Sequence, residues 1–441
     1  MTPPLATLRR ITIESLFGLR ERSYEIDLED VWPTVLTGSN GTGKSTILRL
    51  IKDIASGDLP ALREAPVERI RLDFSGIASF ELSRSISGSV NLRWGNESSQ
   101  LDWDVNQLDL PDWASSAFRD KTLEPPMGRN ELMRVAKSAK IPFHEFRDAW
   151  QQIEFHARYG ATRLPDWYTD FQERFAVLYI TDQRLIEEPR TDVKTSKTST
   201  LPASRAVTAA SSEISERIKM LDSVYTISSQ RLDKRFPAEV IQSIRDASEI
   251  SLERLEFLEE EVAAQRGRLQ SVGLLADDLE LVSDIPAGSL SDPSIRPVLF
   301  SFWRTSLKKM SVLDDLSRQL IGFKLFLDNQ FRDKSIVITR DEGINFQLSN
   351  REQISPAALS SGEQQMMILA YEILFKTEPG TLVVIDEPEL SLHVSWQSSL
   401  LENLTEMGRT NSLQYLLATH SPTVLANQVW VQRSLDDVHA R

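Results

Sequence analysis

Apolar and polar residues alternate through much of the first hundred positions. Ile11, Ile13 and Leu16 do so, then Tyr24, Ile26 and Leu28, which predicts two strands joined near Gly18. Alternation returns at Ile70, Leu72 and Phe74, at Phe80 and Leu82, at Val90, Leu92 and Trp94, and at Leu101, Trp103 and Val105. Turn-rich Ser-Gly and Gly-Asn pairs separate these segments, so an antiparallel sheet is expected. Ala176 to Ile180 and Thr381 to Ile385 are instead continuous β-branched, apolar or aromatic runs, and Leu413 to Ala418, interrupted by Gln414, reads as a further strand. The run at 381–385 predicts a strand buried on both faces.

Elsewhere the period is helical. Residues 109–175 are mixed and mostly helical in pattern, with Arg134, Lys137 and Lys140 on one face. That stripe reads as a solvated surface, with a phosphate-contacting patch as the alternative. Glu187 to Ser212 is rich in Ser, Thr, Ala and Pro without periodicity and predicts a mobile loop. Three amphipathic stretches follow: Ile214, Ile218, Leu221 and Tyr225; Leu252, Leu255, Leu258 and Val262; and Leu313, Leu316, Leu320, Phe323 and Leu327. Each covers about two to three heptads, so a compact subdomain is expected rather than an extended rod.

The chemistry begins where a short apolar run, Val35 and Leu36, gives way to Gly38, Ser39, Asn40, Gly41, Thr42, Gly43, Lys44, Ser45 and Thr46. This is Gly, four residues, then Gly-Lys-Ser, and a helical pattern of Ile47, Leu48, Leu50 and Ile51 follows it. Glycines let backbone N–H groups converge on phosphate oxygens, and the helix points its positive end at the same anion. Lys44 is placed to reach the β- and γ-phosphates, and the Ser45 hydroxyl to ligate Mg²⁺.

The buried run at 381–385 ends in Asp386-Glu387-Pro388-Glu389. Carboxylates at the C-terminal end of a central parallel strand face the ligand crevice of α/β sheets. Asp386 is expected to hold Mg²⁺ through water and Glu387 to polarise the attacking water. The strand at 413–418 leads into Thr419-His420-Ser421-Pro422, which aims His420 at the γ-phosphate or that water. Leu359-Ser360-Ser361-Gly362-Glu363 opens a helix; its free N–H groups suit an anion, and Ser-Ser-Gly before Glu equally suits a plain helix cap.

In this order the segments resemble the ABC-type ATPase head: the phosphate loop (Walker A), Gln183 within Thr-Asp-Gln-Arg-Leu, the Leu-Ser-Ser-Gly-Glu signature, Walker B at Asp386-Glu387 and the His420 switch. The resemblance implies an α/β P-loop head with an added antiparallel β-subdomain and an inserted helical, short coiled-coil subdomain. It implies ATP and Mg²⁺ as cofactors, with Ser45, Gln183 and Asp386 around the metal. It further implies head-to-tail pairing, in which Ser360, Ser361 and Gly362 of one copy close on the γ-phosphate held by Lys44 of the other. The parts would divide as 1–108 (phosphate loop and β-insertion), 109–187 (helical, to the Gln183 strand), 188–335 (loop and helical oligomerisation subdomain) and 336–441 (signature, Walker B and switch).

Departures from the transporter pattern select a branch. Ser361 and Glu363 stand where transporters carry Gly and Gln, and Glu389-Leu390-Ser391-Leu392-His393 replaces Thr-Ser-Ala-Leu-Asp. These features resemble the SMC/RecF/overcoming-lysogenisation-defect side, and within it the ATPase subunits of anti-phage systems, PARIS first and Septu or retron second. The resemblance implies an ATP-driven sensor and scaffold that builds a larger homo-oligomer. Such a subunit holds a separate nuclease or toxin until a phage-derived trigger, protein or nucleic acid, arrives. The alternative is a RecF- or SMC-like DNA-binding repair ATPase, and a transporter subunit is the third class.

Composition trims these options. With 441 residues and 41% hydrophobic positions the chain can fill two or three domains at the usual ~150 residues each. Its formal net charge of −14 opposes broad, non-specific nucleic-acid binding. The absence of cysteine excludes disulfides, thiolate metal sites and a cysteine nucleophile, and fits a cytoplasmic location. No apolar run approaches the ~20 residues of a membrane span, and no signal segment is visible at the N-terminus. The five histidines lack metal-ligand spacing, and 441 − 420 = 21 residues after His420 leave no room for a TOPRIM domain. Any nuclease, TOPRIM-like or His-Asn-His, is therefore expected on a separate chain.

Overall fold

The computed structural model describes residues 5–85, 89–101, 133–134, 137, 146, 164–181, 203–245, 250–275, 290, 292–339, 343–390, 394–426 and 428–436. Strands β1 (Thr7–Glu14) and β2 (Tyr24–Asp27) pair antiparallel, with Ile11 opposite Ile26. β3 (Thr34–Thr37) leaves for a second sheet. β4 (Arg69–Ser75), β5 (Phe80–Arg84), β6 (Val90–Trp94) and β7 (Glu97–Leu101) then complete a six-stranded sheet in the order β2-β1-β4-β5-β6-β7. The alternation seen in the sequence is its cause: Leu8, Ile11, Ile13, Ile70, Leu72, Phe80, Leu82, Val90 and Leu92 are all buried.

The second sheet carries the functional turns. β8 (Val177–Ile180), β12 (Leu382–Asp386), β13 (Gln414–Ala418) and β14 (Gln432–Ser434) join β3 in the order β14-β3-β13-β12-β8, every pair parallel. β13 lies between the phosphate-loop strand and the acidic strand. The apolar runs serve two cores by turns. Leu36, Leu382, Val384 and Leu416 join helix α1 (Lys44–Ser56) and the antiparallel sheet, whereas Val35, Val383, Ile385 and Leu417 join the helices of the other face. Burial on both sides is why these strands show no alternation.

That other face is built from helices α4 (Ala203–Arg245), α5 (Leu252–Ser271), α6 (Arg296–Met310), α7 (Asp314–Gln330) and α8 (Ser361–Phe375); the short α2 (Leu59–Glu64) and α3 (Trp167–Gln172) lie with the first core. A three-stranded sheet of β9 (Lys334–Thr339), β10 (Gly343–Leu348) and β11 (Gln353–Ile354) packs on α4. Ser211 links them, donating to the Ile344 carbonyl at 3.2 Å and accepting from its N–H at 3.3 Å.

Two expectations need correction. Residues 203–212 are helix rather than loop: Ala206, Val207 and Ala210 are buried against the head, so small residues that look like loop composition serve close packing. The helix they open runs 43 residues, about 64 Å, well beyond two or three heptads. No side chain from 219 to 245 is buried. Leu221 and Tyr225 pack half-buried at the edge of the core, and polar contacts tie this half to α6: Lys309 to Asp233 at 2.6 Å, Thr305 to Glu239 at 3.1 Å and Ser301 to Ser243 at 2.7 Å. Arg134 and Lys137 are exposed, which both readings of the stripe allow; Lys140, Gln183 and Trp103 lie outside the described residues. Among the described residues no helix is long and apolar enough to cross a membrane.

Candidate functional site

The phosphate loop turns between β3 and α1 on backbone that only glycine supplies. Gly43 has φ +105°, and a Cβ there would lie 2.3 Å from Leu16 Cδ2. No side chain caps α1, so its first-turn N–H groups face the loop's concavity. The β1–β2 connection braces the outside: Arg22 donates to the Gly41 carbonyl at 2.7 Å and Tyr24 to the Thr42 carbonyl at 3.2 Å.

Lys44 is 5% exposed, and its Nζ donates to the carbonyls of Gly38 at 2.9 Å and Ser39 at 3.2 Å. Burial holds its pKa below the ordinary lysine value, against the pull of Asp436, Glu387, Asp386 and Glu389. The Ser45 hydroxyl donates to Asp386 Oδ1 at 3.0 Å, so two residues 341 apart in sequence meet where the metal is expected. The Tyr179 hydroxyl approaches the other oxygen, Oδ2, at 3.4 Å; burial and that carboxylate push its pKa up to about 12. A hydroxyl and a single carboxylate are hard oxygen donors, which suits Mg²⁺ sharing its remaining positions with phosphate and water.

Glu387 and His420 stand on adjacent turns at the same end of the sheet. β12 and β13 pair with Asp386 opposite Ala418, and the Glu387 N–H donates to the Ala418 carbonyl at 2.9 Å. Glu387 has φ +48°, a left-handed backbone uncommon for a glutamate and marking a tight turn. His420 is exposed at the end of β13.

The signature behaves differently. Ser360 caps α8 in a capping box: its hydroxyl and N–H both donate to Glu363 Oε2 at 2.8 Å, and the hydroxyl accepts from the Glu363 N–H at 3.4 Å. Lys334 holds the Glu363 carboxylate at 2.6 and 2.7 Å. Burial raises the Glu363 pKa, but the bonds from Lys334 and Ser360 outweigh it and leave the carboxyl below its ordinary value. Among the described residues Ser360, Ser361 and Gly362 make no bond to the phosphate loop; Thr46 sits in the first turn of α1.

Three further residues touch the site without a role expected from the sequence, although Glu389 stands in the Asp386-Glu387-Pro388-Glu389 run. Asp436, just past β14, accepts from the Ser39 N–H at 2.8 Å and the Ser39 hydroxyl at 3.1 Å. Tyr179 contacts Asp386, and Glu389 binds the His420 turn. For Tyr179, its place on the strand before Thr181-Asp182-Gln183 is the available signal; Asp436 has none.

A family profile described as "AAA domain, putative AbiEii toxin, Type IV TA system" matches residues 182–426, more than half of the chain. The chain belongs to this AAA-domain family. The match takes in the signature, Asp386, Glu387 and His420, and the phosphate loop lies N-terminal to it. The chain is similar to the "Lipoprotein-releasing system ATP-binding protein LolD" of Bordetella pertussis, 28% identical over 151 residues, which are 33% of this chain and 62% of that protein. It is similar also to the "Retron Vc95 probable ATPase" of Vibrio cholerae, 29% identical over 108 residues, 24% of this chain and 21% of that protein. The chain thus spans less than two thirds of the length of these curated relatives. A solved Smc head domain with an extended coiled coil, from Pyrococcus furiosus, aligns over 96% of this chain and 92% of that one at 12% identity and a TM-score of 0.39.

Proposed function

We propose that this chain is an ABC-type ATPase that binds and hydrolyses ATP at a site completed by a second copy of itself. The carrying observation is the Ser45–Asp386 contact at 3.0 Å, which joins the phosphate loop to the acidic strand within one crevice. Lys44, now bonded to loop carbonyls, would exchange them for phosphate oxygens. Ser45 and Asp386 would hold Mg²⁺, which when bound neutralises phosphate charge and orients the terminal group. Glu387 would accept a proton from the attacking water, and His420 would hold that water or the γ-phosphate. Gln183 is assigned beside the metal on the family pattern alone.

A second copy is needed for the signature. Ser360 is exposed and makes no bond to its own phosphate loop; once released from Glu363, its hydroxyl would be free to meet another molecule's nucleotide. Higher homo-oligomers would use the helical face.

For the wider role we propose the sensor and scaffold subunit of an anti-phage system, of the PARIS kind first and the Septu or retron kind second, holding a separate nuclease or toxin. The retron ATPase similarity and the toxin–antitoxin description of the family support it, and the net charge of −14 weighs against a DNA-wrapping repair enzyme. Light scattering of the Glu387→Gln protein with ATP and Mg²⁺ tests the shared site. A dimer with retained nucleotide is expected; a monomer that retains none rejects it. Phage challenge of cells carrying the chain with its neighbouring genes tests the wider role, which protection undiminished by both Lys44→Ala and Glu387→Gln would remove.

A further inference from the structure

One carboxylate oxygen joins the turn after β12 to the turn after β13. Glu389 Oε1 accepts from the Thr419 hydroxyl at 2.7 Å, the His420 N–H at 2.9 Å and the Ser421 N–H at 3.2 Å. Gln397 adds a second tie: its Nε2 donates to the Glu389 carbonyl at 3.3 Å, and its Oε1 accepts from the Ser421 hydroxyl at 3.1 Å. Glu389 Oε2 is buried and has no hydrogen-bond partner among the described residues.

This concentration is unusual for an acid that could share donors between two oxygens. Leaving a buried carboxylate oxygen without a donor is unfavourable, so stability of the turn alone does not account for a glutamate here. What the arrangement does fix is relative position. Glu387 is anchored to β13 through its own N–H, and the carboxylate two residues later grips the backbone on both sides of the His420 Cα. The imidazole itself is exposed and is steered only through that backbone.

We propose, resting on the nucleotide site inferred above, that Glu389 is a positioning residue that sets His420 in register with Glu387 for hydrolysis. Its action runs through the His420 main chain, with no contact to the nucleotide.

The test is steady-state hydrolysis together with equilibrium binding of a fluorescent ATP analogue, on the full chain with Mg²⁺. Glu389→Ala is expected to lower kcat about 10- to 100-fold, the scale of a misplaced catalytic group. Analogue affinity should change by no more than about twofold, because ground-state binding is untouched. Glu389→Gln keeps an acceptor oxygen and should recover kcat to within about threefold of wild type. In a His420→Ala background, Glu389→Ala should cost nothing further, since residues acting as one unit are not additive. Thr419→Val, which deletes one donor and leaves the carboxylate, should show a smaller loss that also vanishes with His420→Ala, and it serves if Glu389→Ala does not fold. Unchanged kcat in Glu389→Ala, equal losses in the Ala and Gln variants, or full additivity with His420→Ala would each overturn the assignment. A wild-type protein that neither binds nor hydrolyses ATP would instead reject the nucleotide site itself.

Discussion

Helices α1 and α8 both begin at glycine- and serine-rich turns beside functional residues, yet their first turns are opposites. α1 starts after Gly43 with no side-chain cap, and the nearest side chain, Lys44, is bonded back to loop carbonyls. α8 starts after Ser360 with a full capping box, and its Glu363 is held by Lys334. The first is a cradle left open for an anion. The second is self-satisfied, so in the proposed shared site its serine would have to loosen from Glu363 before meeting a phosphate. One end is prepared within the folded chain; the other has its competing bond built in.

Substitutions can break that contrast. The largest effect belongs to Lys44→Ala, which should bring ATP retention and hydrolysis to the buffer baseline in filtration and phosphate-release assays. Glu387→Gln should come next, cutting hydrolysis about 10²- to 10⁴-fold, the usual contribution of a general base, while nucleotide stays bound. Ser360→Ala removes a cap and should lower unfolding free energy by about 1 kcal/mol in denaturant titration, with hydrolysis reduced and ATP affinity of the isolated subunit unchanged.

The smallest effect sharpens the comparison through pH. The folded-state pKa of Glu363 lies below its ordinary 4.5, so its contribution is complete above that value and is lost as pH falls through the depressed one. Glu363→Gln preserves a capping-box acceptor but cannot titrate. Its melting temperature should therefore fall less steeply than that of wild type as pH drops below 4.5, where protonation of the wild-type carboxyl removes its pairing with Lys334.

How much of this is visible in the chain depends on how local each cause is. Gly38 to Ser45 and the runs at 381–385 and 413–418 carry their own geometry, because glycine freedom and two-sided burial both leave a mark within a few residues. The start of α4 does not. Ala206, Val207 and Ala210 look like loop composition until the head surface they pack on is known, and Ser211 has meaning only beside Ile344. Helix α6 falls within the expected helical subdomain at 188–335 but is marked by no amphipathic stretch of its own among the sequence expectations, although Trp303 is fully buried in it. Asp436 and Glu389 are the plainest cases: each meets its partners across a strand pairing, 397 residues away for Asp436 and Ser39 and 31 for Glu389 and His420.

Helix α4 links the head to a distant point as a single stiff spar. Its root is wedged beside β10 and α8, while the span from 219 onward is braced by α6 through charges and hydroxyls. A tilt of about 10° at the root would sweep the far end, roughly 40 Å away at 1.5 Å per residue, through about 7 Å. Pro237 lies in that far stretch, and the contacts of Glu239 and Ser243 with α6 hold the helix beyond it. A small change of tilt at the root is thereby magnified into a much larger displacement at the far end.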